Sequence, residues 1–250
     1  MLLALGISAV VGYLLGSVNF AVLVAKRHGV DILKEGSGNP GATNVKRVLG
    51  KGPGNLVFAL DALKGAVGTV LGYVVAYLLY LRPIFDKLLA ADLANPAVSK
   101  TLPMHFQDFL VSVFSPEKYA DVDVLFAIVA AGFVGTLLGH CFSCFLGFKG
   151  GKGVASTIGG LLVLLPLPIV IGAAIWGLVF AASRYVSLAS IALGVSLPLS
   201  CWLLPLATAL KFGPAEFWFA AAIAAFNVWT HRSNIARLLA GTEHRFVKKA

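Results

Sequence analysis

The amino-acid sequence predicts an all-α polytopic membrane protein. Of its 250 residues, 58% are hydrophobic and only 12% are charged, and the mean hydropathy is +0.88. This composition lies far outside the range of soluble globular domains. Apolar runs long enough to span a bilayer recur along the chain. We therefore predict one integral-membrane domain, residues 1–250, with about seven transmembrane helical segments.

The net charge of +9 would suggest a nucleic-acid partner in a soluble protein. Here the Lys and Arg residues lie in short loops between apolar runs, which is typical of membrane topology, so no nucleic-acid partner is expected. The sequence therefore indicates that the chain lies in a lipid bilayer. The three cysteines, Cys141, Cys144 and Cys201, do not make a disulfide framework.

The first half of the chain contains two predicted spans. Leu2–Val24 begins without a basic segment and is long enough to cross, so it is predicted to be a retained helix rather than a signal peptide. A polar loop follows at residues 26–51, and Gly54–Tyr80 is the second span. Asp61 and Lys64 lie three residues apart inside it, hence on one helix face. Charges within a span indicate either a functional site or a structural ion pair, and both interpretations stay open here.

The second half begins with a long hydrophilic stretch, residues 82–123, which we predict to be an extended extracytoplasmic loop. The apolar run Val154–Ala182 contains Pro166 and Pro168. Two central prolines break a helix, so this run is predicted to form two short helices in a hairpin. The remaining spans are predicted at Val124–Gly139, Leu188–Leu206 and Ala215–Trp229.

The distribution of charge predicts the orientation in the membrane. Loops at 26–64, 140–152, 184 and 231–250 together hold 15 Lys and Arg residues and four acids, whereas the remaining loops hold five and seven. By the positive-inside rule, the first set faces the cytoplasm. The N-terminus is therefore predicted outside and the C-terminus inside. The hairpin is required, because without it residue 184 and the C-terminal segment would lie on opposite sides.

Residues 36–47 form a polar segment, Gly-Ser-Gly-Asn-Pro-Gly-Ala-Thr-Asn-Val-Lys-Arg, in an otherwise apolar chain. Its glycines let backbone N–H groups turn toward a ligand, its hydroxyls add donors, and its two cations add positive charge. We call residues 36–47 the first anion loop. This combination predicts a receptacle for an anion such as phosphate.

A second glycine- and lysine-rich segment, residues 139–153, runs into an apolar helix at Val154 and is called the second anion loop. The free N–H groups and the dipole of that helix also favour an anion. Either loop alone could be a plain turn with lysines anchored at the membrane interface. Two such loops on one face favour a phosphate site, because phosphate needs several converging donors.

Two other chemistries fit these segments poorly. In the nucleotide P-loop, Gly-Lys is followed by Ser or Thr, whereas Gly153 follows Lys152 here. His140, Cys141 and Cys144 could supply part of a zinc site, but a fourth ligand is missing. Neither a metal nor a cofactor is therefore expected.

Several motifs resemble, in chain order, the acyl-phosphate-dependent glycerol-3-phosphate acyltransferases of bacterial membranes, the PlsY family. They are Gly36-Ser37-Gly38-Asn39-Pro40-Gly41-Ala42-Thr43-Asn44, Asp61-x-x-Lys64-Gly65, Gly139-His140 with Gly147–Gly153, Arg184-Tyr185-Val186-Ser187, and His231-x-x-Asn234-Ile235. The resemblance spans nearly the whole chain, and the longer 82–123 segment is the departure. The other familiar glycerol-phosphate acyltransferases use His-x-x-x-x-Asp, a spacing that no histidine here has.

The resemblance implies an enzyme that transfers a fatty acyl group from acyl phosphate to the 1-hydroxyl of sn-glycerol 3-phosphate. The products would be lysophosphatidic acid and inorganic phosphate, in an early step of phospholipid biosynthesis. The resemblance also implies a multi-pass protein of the bacterial cell (inner) membrane, with its active site on the cytoplasmic face. A further implied partner is the soluble enzyme that produces acyl phosphate.

The same resemblance assigns roles to individual residues. It implies catalytic roles for Ser37, Asn39, Arg47, His231 and Asn234, and substrate binding by Gly38, Gly41, Thr43, Asn44, His140, Lys149, Gly150, Gly151, Lys152, Gly153 and Ser187. We expect the first anion loop to hold the acyl phosphate and the second to hold glycerol phosphate. His140 is expected to orient the second loop.

The general base has two candidates. His231 titrates near neutrality in its unperturbed form, which suits a base. The alternative is a phosphate oxygen of the acyl phosphate itself, with the protein supplying position and electrostatics. The second is favoured, because no carboxylate flanks His231 in the sequence to orient it.

Two other function classes stay open at this point. A transporter of a phosphorylated solute could use the proline-broken helices of the hairpin, although the sequence shows no internal repeat. A non-catalytic protein could bind anionic lipid through basic loops. That class leaves Ser37, Asn39 and Asn44 unexplained.

Overall fold

The computed structural model describes residues 1–84, 86–87 and 121–246, and these residues form helices joined by short loops. This confirms the all-α fold class. The described residues also include a π-helical turn at Tyr77–Leu81 and a 3-10 turn at Cys144–Leu146. The α-helices of the described residues are α1 (Leu2–Ser17), α2 (Phe20–Arg27), α3 (Ala42–Leu49), α4 (Lys51–Ala76), α5 (Val122–Cys141), α6 (Val154–Leu164), α7 (Pro166–Ser183), α8 (Val186–Ala207), α9 (Pro214–Thr230) and α10 (Arg232–Leu239).

Within the described residues, five helical segments are long and apolar enough to cross a membrane. They are Leu2–Arg27, Lys51–Ile84, Val122–Cys141, Pro166–Ser183 and Val186–Ala207. These segments confirm a protein that crosses the membrane several times. The predicted count of seven also needs α6 and α9, which have 11 and 17 residues. At 1.5 Å per residue, α6 is only about 16 Å long, so the count of seven stays a prediction.

The first predicted span is interrupted, which corrects the expectation of one continuous helix. Its halves are α1 and α2, and Val18 between them is extended. Asn19 begins α2 by accepting a hydrogen bond from the Val22 N–H at 3.0 Å. Asparagine is a strong N-cap, and this short-range preference ends α1 despite the apolar sequence on both sides.

The polar loop predicted at residues 26–51 contains a helix, α3, that hydropathy does not reveal. One face of α3 is apolar, and Val45 on that face is fully buried against Val57 of α4 and Ala21 of α2. Arg47 lies on the exposed side. Because the apolar face is only two turns long, it does not stand out from a polar loop in the sequence.

The long segment predicted at residues 82–123 is shorter at both ends than expected. The helix that begins as α4 continues to Ile84, and α5 already begins at Val122. Asp121 starts α5 by accepting hydrogen bonds from the N–H groups of Asp123 and Val124. The rest of this predicted extracytoplasmic loop, residue 85 and residues 88–120, lies outside the described residues.

The proline-containing run forms two helices, as predicted. α6 ends at Leu164, and α7 begins at Pro166. Proline suits the first position of a helix, where its missing N–H would have no partner in any case.

Small residues let the central helices approach closely. In α1, Gly12 and Gly16 lie against the backbone of α5, and in α4, Gly65 lies against Ser156 of α6. A side chain at any of these positions would separate the helices, which is the usual reason for small residues in membrane bundles. This packing brings the loops after α1, α5, α7 and α9 to one end of the bundle.

Candidate active site

The first anion loop is held by Asn44, at the start of α3. Its side-chain oxygen accepts a hydrogen bond from the Ser37 N–H at 2.9 Å, and its amide donates to the carbonyls of Ile32 (3.3 Å) and Glu35 (2.9 Å). The residue is 1% exposed. Gly36 has φ +58°, and a Cβ there would collide with the Asn44 side chain. Asn44 therefore contacts the loop itself, and only Gly fits at residue 36.

The other predicted residues of this loop fall into two groups. The N–H groups of Gly38 and Gly41 donate within the loop, to the carbonyls of Glu35 and Asn39. The side chains of Ser37, Asn39 and Thr43 are exposed or half-buried, and they make no hydrogen bond within the described residues. These three side chains are free to meet a ligand.

The second anion loop is supported by His140 at the end of α5. The His140 carbonyl accepts a hydrogen bond from the Gly151 N–H at 3.0 Å, and the buried imidazole lies against Gly151. Gly150 in turn lies against the carbonyl oxygen of His140. Both contacts support the predicted role of His140 in orienting this loop. The loop ends at Gly153, which precedes the first residue of α6.

The resemblance implies that the second anion loop holds glycerol phosphate, so replacing Gly151 by Ala is expected to raise the KM for this compound at least about tenfold. The new methyl group would meet the His140 imidazole, so the loop must shift. Steady-state kinetics in detergent measure this. Gly177→Ala is the matched control, because a methyl group there meets nothing within 4 Å. Equal KM values for the two variants would show that the loop does not carry the substrate.

Lys152 connects the second anion loop to α10. Its ammonium donates a hydrogen bond to the side-chain oxygen of Asn234, and the Thr230 hydroxyl donates to the Lys152 carbonyl at 3.4 Å. Burial, together with the positive charge of Arg237 and Arg47, lowers the pKa of Lys152 to about 8, against the opposite effect of Glu243. Anything that brings negative charge to this site stabilises the charged ammonium.

The centre of the site is the carboxylate of Glu243. Its Oε1 accepts hydrogen bonds from the Ser187 hydroxyl at 2.8 Å and from the Asn234 amide at 2.6 Å, and its Oε2 pairs with Arg237 Nε at 2.7 Å. Burial raises the pKa of Glu243, but these three donors lower it more, so its pKa lies below the usual value. Glu243 is therefore ionised at neutral pH and draws the donors together.

The sequence prediction did not include Glu243 and Arg237. Arg237 is three residues beyond Asn234 on α10 and hence on the same helix face, which was an available signal. Glu243 lies in a basic C-terminal segment, and an isolated acid there carries no recognisable pattern. Only the fold of that segment, in which the Phe246 N–H donates to the Arg184 carbonyl at 3.0 Å, brings it to Ser187.

His231 lies between α9 and α10 with a buried imidazole. Its Nδ1 is 2.9 Å from the carbonyl oxygen of Asn227, which can only accept, so Nδ1 carries the proton and Nε2 is the free acceptor. Burial, aided by the positive charge of Lys152, lowers the pKa of His231 to about 4 although the Asn227 carbonyl opposes this. His231 is therefore neutral at neutral pH.

This pKa predicts a pH dependence of stability. The unfolded chain takes up the His231 proton near pH 6.5 and the folded protein only near pH 4. The free energy of unfolding is therefore expected to fall, by up to about 3 kcal/mol, as the pH decreases through this window, with no contribution above it. Thermal unfolding of the wild type and of His231→Gln measures this. The variant should lose most of the slope, and the exposed His244→Gln should keep it; equal slopes would contradict the prediction.

The structure brings together Lys152, Ser187 and Asn234, and the positive charge of Arg47 also acts on Lys152. The guanidinium of Arg47, at the end of the first anion loop, lies 5.9 Å from the ring centroid of Phe246, in the C-terminal segment that carries Glu243. Lys149 is exposed and has no side-chain hydrogen bond or ion pair in the described part of the chain. Among the same residues, no three His, Cys, Asp or Glu side chains are grouped as a metal ion would need.

Comparison with known proteins identifies the family. The model of the family described as glycerol-3-phosphate acyltransferase matches residues 6–241. This chain belongs to that family. It is an enzyme, a membrane acyltransferase of phospholipid synthesis, which confirms the resemblance and decides against a transporter or a non-catalytic lipid-binding protein.

Curated relatives of the glycerol-3-phosphate acyltransferase family match over nearly their whole length. The protein of Shouchella clausii is 34% identical, and the match covers 100% of this chain and 99% of the relative. The protein of Halalkalibacterium halodurans is 37% identical, with 98% and 97% covered.

Two solved structures are similar throughout. One is the glycerol 3-phosphate form of PlsY (YgiH), an integral membrane glycerol 3-phosphate acyltransferase, with a TM-score of 0.69, 33% identity, and 97% of this chain and 96% of that chain covered. The other is its lysophosphatidic acid form, with a TM-score of 0.67 and 33% identity over 97% and 95%.

Proposed function

We propose that this acyltransferase moves a fatty acyl group from acyl phosphate to the 1-hydroxyl of sn-glycerol 3-phosphate. The products are lysophosphatidic acid and inorganic phosphate. The observation that carries this proposal is the convergence of Lys152, Ser187 and Asn234 at one site, in a chain whose family acts on glycerol 3-phosphate. The solved relative has been crystallised in glycerol 3-phosphate and lysophosphatidic acid forms, which fit the substrate and the product.

The second anion loop is the proposed glycerol-phosphate site. Lys152, Ser187 and Asn234 are donors that suit phosphate oxygens, and Arg237 adds a second cation beside them. The free N–H groups at the start of α6 favour the same anion. His140 supports this loop, and Gly150, Gly151 and Gly153 give the loop its shape.

The first anion loop is the proposed acyl-phosphate site. The unbonded side chains of Ser37, Asn39 and Thr43 face the ligand, and Arg47 supplies the charge. Asn44 holds the loop in shape, with Gly38 and Gly41 forming its turns. The acyl chain extends between helices into the bilayer, where its transfer from water is favourable.

The reaction needs one proton transfer. The 1-hydroxyl oxygen of glycerol phosphate attacks the acyl carbonyl carbon, an ester C–O bond forms, and the C–O bond to phosphate breaks with its electron pair leaving on phosphate. We assign the hydroxyl proton to a phosphate oxygen of the donor, because an imidazole whose pKa is about 4 is a weak base. His231 then contributes to binding glycerol phosphate and does not take this proton. The guanidinium of Arg47 stabilises the charge that develops on oxygen.

We also propose the predicted topology for this enzyme. It has seven helical segments, with the N-terminus outside and the C-terminus in the cytoplasm of a bacterial cell, and it lies in the inner membrane. The excess of Lys and Arg in the loops that carry the site supports a cytoplasmic active site. A soluble enzyme that produces acyl phosphate would then approach from the same side.

A direct assay tests the function. Purified protein in detergent, given labelled glycerol 3-phosphate and a saturated acyl phosphate, is expected to form labelled lysophosphatidic acid and one equivalent of phosphate. The same chain length offered as acyl-CoA is the control for the donor. Product formed from acyl-CoA but not from acyl phosphate would contradict the proposed donor, and no product from either would contradict the reaction.

A further inference from the structure

A buried ion pair in α4 has no part in the mechanism above. Lys64 Nζ lies 3.0 Å from Asp61 Oδ1, and both side chains are 2% exposed. Removing two charges from water costs several kcal/mol per ion, so such a pair persists only where other groups also hold it. Each member of this pair has a second set of contacts, and the two sets lead to different anion loops.

Lys64 contacts the break between α1 and α2. Its ammonium donates to the carbonyls of Gly16 (3.1 Å) and Val18 (2.7 Å). The break also carries Asn19, whose amide donates to the Pro40 carbonyl of the first anion loop at 3.4 Å. Lys64 therefore sets the position of the segment on which the first loop rests.

Asp61 contacts the end of α5. Its Oδ1 lies 3.5 Å from Nδ1 of His140. Neither atom has a hydrogen bond within the described residues. The same carboxylate oxygen therefore lies between the Lys64 ammonium, at 3.0 Å, and the His140 imidazole, at 3.5 Å. The same imidazole lies against Gly151, and the His140 carbonyl accepts the Gly151 N–H. Asp61 therefore sets the position of the histidine that supports the second loop.

A further contact joins the same two regions. Ser143, just beyond α5, donates its hydroxyl hydrogen to the Ser17 carbonyl at 2.6 Å. Three successive carbonyls at the α1–α2 break, those of residues 16 to 18, thus accept hydrogen bonds from α4 and from the segment after α5. The ion pair lies at the junction of the two supports.

We propose that Asp61 and Lys64 form a positioning pair that fixes the two anion loops relative to each other, and with them the glycerol hydroxyl relative to the acyl carbonyl. This inference rests on the proposed function of the loops. Each loop also has internal bonds, from Asn44 in the first and from Gly151 to His140 in the second. Loss of the pair therefore leaves both phosphate sites but displaces one against the other, and a displacement of about 1 Å costs on the order of 100-fold in rate.

The test separates kcat from KM in Lys64→Met and Asp61→Asn. We expect kcat to fall about 100-fold in Lys64→Met, with both KM values within about threefold of wild type. Thr69→Val is the matched control, because it also removes a buried polar contact of α4. The Thr69 hydroxyl donates to the Gly65 and Gly160 carbonyls at 3.0 and 3.3 Å. It should lower the unfolding temperature without lowering kcat.

A second variant covers the case in which Lys64→Met does not fold. Asn19→Ser keeps an N-cap for α2 but is too short to reach Pro40, so it should lower kcat with KM unchanged. An unchanged kcat in the folded variants, a loss confined to KM, or an equal loss of kcat in Thr69→Val would overturn the inference. If the wild-type protein makes no lysophosphatidic acid, the proposed function fails. The inference about the ion pair then fails as well, because it rests on that function.

Discussion

Lys152→Met is expected to lower kcat/KM for glycerol 3-phosphate by roughly 100- to 1000-fold, which is the scale of losing one charged donor in a site that excludes water. Methionine keeps the apolar stem of lysine, so the packing of the half-buried side chain is preserved. The substitution removes the ammonium that contacts Asn234. Most of the loss should be in KM, because the proposed partner is the substrate phosphate in the ground state as well as in the transition state.

Two further lysines make this experiment specific. Lys211→Met changes an exposed cation between α8 and α9, outside the site, and should leave the kinetics unchanged. Lys149→Met tests the neighbouring lysine of the same loop, whose ammonium has no bond within the described residues, and its loss should stay below about tenfold. A larger effect for Lys149 than for Lys152 would contradict the assignment of Lys152 as the phosphate ligand.

Glu243→Ala is expected to lower kcat/KM for glycerol 3-phosphate by about 100-fold, with Glu243→Gln intermediate. The carboxylate is the common acceptor for Ser187, Asn234 and Arg237. Without it, these donors have no common partner and must be ordered by the substrate itself. Glutamine keeps one acceptor oxygen and the shape of the side chain, but it loses the charge that pairs with Arg237.

The sign of the change in KM decides the role of Glu243. A positioning role predicts a higher KM in Glu243→Ala. A lower KM would contradict it, because it would mean that the carboxylate competes with the substrate phosphate for the same donors. Glu216→Ala is the control. This half-buried acid accepts a hydrogen bond from the Gly213 N–H at 2.8 Å at the start of α9, so its loss should affect stability and not KM.

Much of this architecture could be read from local sequence. The spans follow from apolar runs, since the bilayer requires about 20 apolar residues to cross it as a helix. The break at Pro166 follows from the covalent structure of proline. The two anion loops stand out because clusters of glycine, hydroxyl and cationic residues are rare in such a chain. The family motifs in these loops indicated the reaction.

Other features could not be predicted because their causes are distant in sequence. Nothing local shows that α3 buries Val45 against Val57 of α4. The two interpretations of Asp61 and Lys64 stayed open for the same reason. Their partners are carbonyls of α1 and an imidazole of α5, and only the packing of three helices brings these together.

Two different levels of structure determine the site. Local sequence determines the residues of each anion loop, and the packing of the helices determines how the two loops lie relative to each other. Residue types within each loop, at short range, already specify that an anion binds, because glycine backbone freedom and side-chain charge are local properties. The helix contacts made by small residues specify which donors face each other, since a hydrogen bond depends on distances of a few tenths of an ångström. Glu243 joins Ser187 from 56 positions away, and that meeting exists only in the folded chain.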